Sequence, residues 1–209
     1  MIACPYCGHD LGAMPQRKKK CPSCAQPIYI KSTPGNQTKR LMTEVQALDA
    51  EGQWQQYNLR QKTISFLFPF GLTERDIEKE ITLGAKSDSE AVVSLLTRIK
   101  NEPQDLHKQK MAFSLLAVYA EEEGRPFHNF LIEAARCELL RYKEQRVRKV
   151  EILTAGPGNA CAECAAHAGK TFDIDDALRL MPLPCPTCTR TIAGTRPGFC
   201  RCGYIAAFK

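Results

Sequence analysis

The sequence predicts an α+β chain: a small cysteine-rich module, a central helical domain, then a second small cysteine-rich module. Three observations predict it. Eight of the eleven cysteines in 209 residues fall into four Cys-x-x-Cys pairs. Those pairs occupy only the two ends of the chain. The stretch between them holds a single cysteine, Cys137, and apolar residues at helical spacing. The expected boundaries are 1–35 for the first module, 36–62 for a linker and helix, 63–149 for the helical domain and 150–209 for the last module.

Composition narrows the function classes. Apolar residues make up 44% and charged residues 25%, enough to bury a core, so bulk disorder is not expected. No run approaches the ~18 apolar residues of a membrane span. The longest, around Met111–Ala120, is too short, and no membrane contact is expected. Met1-Ile2-Ala3-Cys4-Pro5 has no basic segment leading into an apolar one, so a cytoplasmic location is expected. In that reducing setting an odd number of cysteines favours metal ligation over disulfides.

The first module is Cys4-Pro5-Tyr6-Cys7-Gly8, then Cys21-Pro22-Ser23-Cys24. Two thiolates three residues apart grip one ion from a tight turn, whose N–H groups offset the sulfur charge. Proline after the first cysteine preorganises that turn, and a small residue after the second permits positive φ. Two such knuckles complete a tetrahedral site, so Cys4, Cys7, Cys21 and Cys24 are expected to bind zinc. About 35 residues have no sufficient core without such a staple. Tyr29 and Ile30 should form a strand behind the second knuckle, and Ser32-Thr33-Pro34-Gly35-Asn36 a turn leading out of the module.

In the middle, Leu41, Val45 and Leu48 are spaced as one helical face, and Ile64–Phe70 reads as a short strand or buried loop. Thr73 and Ser87 open two further helices, with Ile77 and Ile81, then Val92, Leu95, Leu96 and Ile99, inward. Pro103 suits the first turn of the next helix, which Leu106, Phe113, Leu116 and Tyr119 should line. Gly124 ends it. Pro126 starts the last one, with Phe127, Phe130, Leu131, Ala134 and Leu139 inward. Val150–Thr154 reads as a strand and Gly156–Asn159 as a turn.

The last module carries Cys161-Ala162-Glu163-Cys164, Cys185-Pro186-Thr187-Cys188 and Cys200-Arg201-Cys202. One tetrahedral ion needs four of these six thiols. Cys161 and Cys164 are expected ligands, and Cys185 with Cys188 has the knuckle spacing. Cys200 or Cys202 could replace one of that pair, and His167 is within reach in sequence. Two zinc ions per chain are expected. Glu163 reads as a surface residue, because no His-x-Glu precedes the pair as in zinc deaminases. Gly169-Lys170-Thr171 lacks the earlier glycine of a phosphate-binding loop. No catalytic residue is assigned.

The net charge of +6 is carried entirely by residues 1–40, where seven basic side chains face only Asp10. Arg17, Lys18, Lys19 and Lys20 lie between the knuckles, on the loop that such modules present outward. Arg136, Arg141, Lys143, Arg146, Arg148 and Lys149 extend the last helix. The plain account of that second run is a solvated helix end, where the dipole favours cations. The functional account joins Arg17–Lys20 with Arg141, Arg146, Arg148 and Lys149 as a phosphate-gripping surface for nucleic acid. A protein partner is the alternative, and the oligomeric state is open.

Cys161-x-x-Cys164, Ala168-Gly169-Lys170-Thr171-Phe172, Leu183-Pro184-Cys185-x-x-Cys188 and Cys200-Arg201-Cys202 together resemble the C-terminal zinc module of the phage head morphogenesis (minor head protein) family. The resemblance covers about residues 150–209. Cys185 stands where that family has His, and Thr189–Phe199 is inserted before Cys-Arg-Cys. The N-terminal run resembles the short zinc ribbons that open many bacterial and phage proteins. The residues themselves point to a non-enzymatic zinc-binding interaction protein; the resemblance implies a bacterial or prophage zinc protein, with a phage structural or head-assembly role as the alternative. A zinc enzyme using the C-terminal site is a further alternative.

Overall fold

The structure is a computed structural model that describes residues 2–102, 105–156, 158–191 and 197–207. Pro103, Pro157 and part of the Thr189–Phe199 insert lie outside the described residues. Helices and two small three-stranded sheets make it α+β, with cysteine clusters in both units. The chain divides into two compact units, residues 1–73 and 74–209.

The first unit is a three-stranded antiparallel ribbon and one long helix. Strands β1 (Lys19–Lys20), β2 (Pro27–Thr33) and β3 (Asn36–Met42) lie in that order, with Lys19 opposite Ile28 and Tyr29 opposite Met42. The Pro34-Gly35 turn, expected to lead out of the module, instead joins β2 to β3, so the ribbon continues to Met42. Alternation sends the two faces of the ribbon to different neighbours. Ile28 is fully buried over Cys4 and Cys21, with Leu11 and Leu41 beside it. Tyr29 and Met42 pack against Ala47 and Ala50 of helix α1 (Glu44–Leu67). Thr43 and Gln46 cap α1 reciprocally, each side chain accepting the other's backbone N–H.

That packing revises two expectations. Leu41 belongs to a strand, and Val45 and Leu48 are 77% and 63% exposed, because α1 meets the ribbon through its small residues and through Trp54. The Trp54 Nε1–H donates to the Ser32 carbonyl at 2.9 Å. Ile64–Phe70 is neither strand nor loop. It is the end of α1 and a 3-10 turn at Phe68–Phe70, closed by Gly71 at φ 73°. Leu67 and Phe70 turn inward while Phe68 stays exposed.

The second unit begins with four helices: α2 (Glu74–Thr82), α3 (Asp88–Lys100), α4 (Leu106–Glu122) and α5 (His128–Glu144). Ser87 and Asp105 cap α3 and α4, and Gly124 at φ 73° ends α4's run. Val92, Leu95, Leu96 and Ile99 are buried as their spacing predicts. On α4 only Leu116 of the expected set is buried. Ala112 is also buried, Ala117 and Ala120 pack against Phe127 and Leu131, and Leu106, Phe113 and Tyr119 are half-buried. On α5, Phe127, Leu131, Ala134 and Leu139 are buried. Strands β4 (Lys149–Leu153), β5 (Thr171–Asp173) and β6 (Gly203–Ala206) form an antiparallel sheet with β4 central. Short helices α6 (Ala162–Ala166) and α7 (Ile174–Leu180) flank β5.

On α2, Ile77 is fully buried, but Ile81 is exposed and Glu80 takes the inward place. Ser94 Oγ donates to its carboxylate at 2.6 Å, and Arg98 forms an ion pair with it, joining α2 to α3. The Ser94 hydroxyl, with Arg98 and against burial, holds the Glu80 carboxyl below the ordinary glutamate range. A depressed folded pKa stabilises above the unfolded value, ~4.3, and that contribution fades as pH falls through the folded value. Glu80→Ala is expected to cost about 1–2 kcal/mol at neutral pH. Urea unfolding should show the gap from the parent protein narrowing as pH falls below the ordinary glutamate range.

Candidate metal centres

Both knuckles of the first unit fold the same way. Cys4 N–H donates to the His9 carbonyl at 2.8 Å, and Gly8 N–H returns to the Cys4 carbonyl at 2.9 Å. Cys21 N–H donates to Gln26 and Ala25 N–H to Cys21, both at 2.9 Å. Gly8 and Ala25 sit at φ 75° and 61°, the positive-φ position that the small residues anticipate. The result brings the sulfurs of Cys4, Cys7, Cys21 and Cys24 within 4.8 Å of one another. Across the knuckles, Cys4 faces Cys24 and Cys7 faces Cys21, each at 3.8 Å. A disulfide needs about 2.05 Å. Four thiolates around one ion at about 2.3 Å stand about 3.8 Å apart by tetrahedral geometry. These separations therefore suit a shared cation.

Electrostatics agrees with the geometry. The Cys24 N–H, with help from Ser23 N–H and the neighbouring thiols, brings Cys21 down to about 6 against burial. Although the Gln26 N–H works the other way, burial and the Cys7, Cys21 and Cys4 sulfurs push Cys24 up to about 12. The group ionises readily once and resists ionising fully. A divalent cation removes that resistance.

The knuckle is also bolted to α1. Tyr6, inside the first knuckle, accepts the Glu44 N–H on its hydroxyl at 2.7 Å. Tyr29 OH donates to Glu44 Oε1 and accepts from Lys18 Nζ, both at 2.8 Å. Lys18 also lies 4.2 Å over the Tyr29 ring. Lys19 and Lys20 stand in β1 and not on a free loop, exposed together with Arg17. The basic run is thus partly strand, because Lys19 and Lys20 pair with Ile28 and Pro27.

The second unit gathers five sulfurs. Cys161, Cys164 and Cys188 form one group within 4.8 Å, and Cys164, Cys200 and Cys202 another, with Cys164 common to both. Cys164 and Cys200 are 3.6 Å apart. Cys161 caps α6, its sulfur accepting the Cys164 N–H at 3.3 Å. Arg190 donates to the Ala160 carbonyl at 3.1 Å and to Gly158, pinning the approach to Cys161. Burial opposes ionisation of Cys161, but the Cys164 N–H, the Cys164 and Cys188 thiols and the Thr189 N–H bring it to about 7. Burial, then the surrounding sulfurs, drives Cys164 far upward and Cys188 to about 11.

Cys185 joins neither group. It is buried in the surrounding core and faces Thr187 Oγ1 at 3.6 Å. Its spacing matches a knuckle, but the residue after Cys188 is β-branched Thr189, which does not take the positive φ seen at Gly8 and Ala25. Cys200 and Cys202 gather with Cys164 instead. Their signal in the sequence was the Cys-x-Cys itself. His167 lies outside both groups, and its Nδ1 is buried without a hydrogen-bond partner among the described residues. Glu163 is exposed.

The basic run after α5 is not one helix face. The helix stops at Glu144, Arg146 takes φ 60°, and Lys149 begins β4. Arg136 and Arg141 reach Glu133 and Glu138 at 3.4 and 3.7 Å, and Lys143 reaches Asp175 at 2.6 Å. Arg146 and Arg148 line a shallow cleft beside Asp173 and Asp175. Local carboxylates therefore offset most of the charge there. Comparison of the chain with known protein families, with curated proteins and with solved structures gives no match.

The two sulfur groups make separable predictions. Cys7→Ser and Cys164→Ala should each lose one bound metal equivalent by elemental analysis. Cys185→Ala should keep both, with only a core-packing loss of about 1 kcal/mol. A metal equivalent lost from Cys185→Ala would place its sulfur among the ligands.

Proposed function

We propose that this protein is a non-enzymatic zinc-binding interaction protein, with a structural zinc site in each unit and a polyanion-binding surface on its N-terminal ribbon. The observation that carries the reading is the closed thiol set of Cys4, Cys7, Cys21 and Cys24. Four sulfurs satisfy a tetrahedral ion completely and leave no position for substrate or activated water. All-sulfur, tetrahedral ligation at these separations is the chemistry of zinc among redox-inert ions. Zinc bound there contributes folding energy of about 10–16 kcal/mol, as large as the whole stability of an ordinary domain.

The polyanion-binding surface lies on the ribbon. Lys19 and Lys20 on β1, Lys39 and Arg40 on β3, and Arg17 before β1 are exposed on a scaffold that the ion makes rigid. Fixed cations lose little entropy on meeting phosphates. Aromatic groups for base stacking are scarce there, which favours backbone contact over sequence readout. The second reading, a phage or prophage structural or head-assembly role through protein contact, rests on the sequence resemblance of residues 150–209.

The test is a titration of the zinc-loaded protein with mixed-sequence DNA and RNA at several salt concentrations. Binding should weaken with salt, and log K against log salt should flatten by about 0.7–0.9 for each phosphate contact removed by Lys19→Ala, Lys20→Ala, Lys39→Ala or Arg40→Ala. Absence of binding at low salt would remove the polyanion reading and leave protein contact.

A further inference from the structure

Helix α1 has 24 residues, about 36 Å of length. One face meets the ribbon through Ala47, Ala50 and Trp54. Val45, Leu48, Gly52, Leu59 and Phe66 fall on a different face, at the three- and four-residue steps of a helix-pairing seam. Val45, Leu48, Leu59 and Phe66 are 77%, 63%, 66% and 38% exposed. Lys62 Nζ lies 5.8 Å over the Phe66 ring, at the edge of the same seam.

The charges of α1 are divided by half. Residues 44–55 carry Glu44, Asp49 and Glu51 and no cation, while residues 56–67 carry Arg60 and Lys62 and no anion. At helical periodicity Glu51 and Lys62 stand on one flank of the seam, and Asp49 and Arg60 on the other. Parallel pairing of two such helices would set acid on acid and base on base. Antiparallel pairing about a two-fold axis near Gln55 lays each flank on its own reverse. Glu51 then meets Lys62 of the second copy, and Asp49 meets Arg60 of the second copy. The same axis sets Leu59 against Gly52, where no atom of this chain stands in the way, and Val45 against Phe66. Lys31 also pairs with Glu51, whose side chain keeps 51% exposure, and Gln53 donates to Asp49 from within α1. Both carboxylates therefore keep room for a further donor. A seam that complements its own reverse in charge and in shape identifies its occupant as another copy of itself.

We propose that α1 pairs antiparallel with α1 of a second copy, making a two-fold dimer of the chain. A strip of about 36 Å by about 10 Å on each helix covers roughly 700 Å² in all. That is below the ~1,200 Å² of stable interfaces, so the dimer is reversible and depends on concentration. A two-fold contact closes on itself and builds nothing larger. The seam contains none of the ribbon's basic side chains, so the dimer does not depend on nucleic-acid binding.

Sedimentation of the metal-loaded, nucleic-acid-free full chain over a concentration series tests this. The expected result is a monomer–dimer equilibrium with no larger species. Leu59→Glu should weaken the dimer at least about tenfold, and Leu48→Glu is a second, independent variant on the same seam. Lys62→Glu and Glu51→Lys should each weaken it, since each sets like charges together twice. Mixed in equal amounts, those two variants should regain the parent affinity, because both cross-pairs are again opposite in sign. Metal content and circular dichroism identify any variant that fails to fold. The leucine variants carry the test if Glu51→Lys does fail. A chain that stays monomeric throughout, a dimer indifferent to Leu59→Glu and Leu48→Glu, or no recovery on mixing two folded charge variants would overturn the proposal.

Discussion

Sulfurs gathered within 4.8 Å of one another set the terms for both units. Thiolates at that distance repel, and burial adds to the cost of their charge. Cys24 and Cys188, pushed up to about 12 and 11, register that cost directly. Only a cation lets all the sulfurs ionise together, so on the proposed reading the ion and the fold form as one event. The first ribbon has little else. Ile28 is its one fully buried large side chain, worth about 1.5–3 kcal/mol, far less than a structural ion supplies.

The rest of each unit is arranged around that closure. In the first, the Tyr6 hydroxyl carries the knuckle's position to the start of α1, and Tyr29 repeats the link through Glu44. In the second, Tyr204 binds both the N–H and the carbonyl of Leu183 through its hydroxyl, and its carbonyl accepts from Tyr142 on α5. Phe199 stacks at 5.4 Å on Phe127. These contacts run from the sulfur centre into α5.

The convergence of the first four sulfurs was legible because its signal is local. A tight turn, a proline and a small residue after each second cysteine determine the knuckle within five residues. The second was legible only in part. Cys161 and Cys164 carry local knuckle spacing, but the choice between Cys185 and Cys200 depends on how distant segments pack. Thr189 was the available hint against Cys185. Helices α3 and α5 largely followed their periodicity, whereas α2 turned Glu80 inward in place of Ile81 and α4 buried only Leu116 of its expected face. The α1 face did not follow its spacing, because alanines and a tryptophan make its contact and the more hydrophobic Val45 and Leu48 face outward. Residues 64–70 misled for a related reason: a phenylalanine-rich run has strand propensity, but a continuing helix overrides it. The basic run after α5 hid its partners, since Asp175 is thirty-two residues from Lys143.

The central claim is that each unit closes around a single ion through sulfur alone. X-ray absorption at the zinc edge on the purified chain addresses it directly. The account predicts two zinc ions per chain, each with four sulfur neighbours at about 2.3 Å and no oxygen or nitrogen in the averaged shell. Nitrogen or oxygen in that shell, or a metal-free protein whose thiols are paired as disulfides, would contradict it.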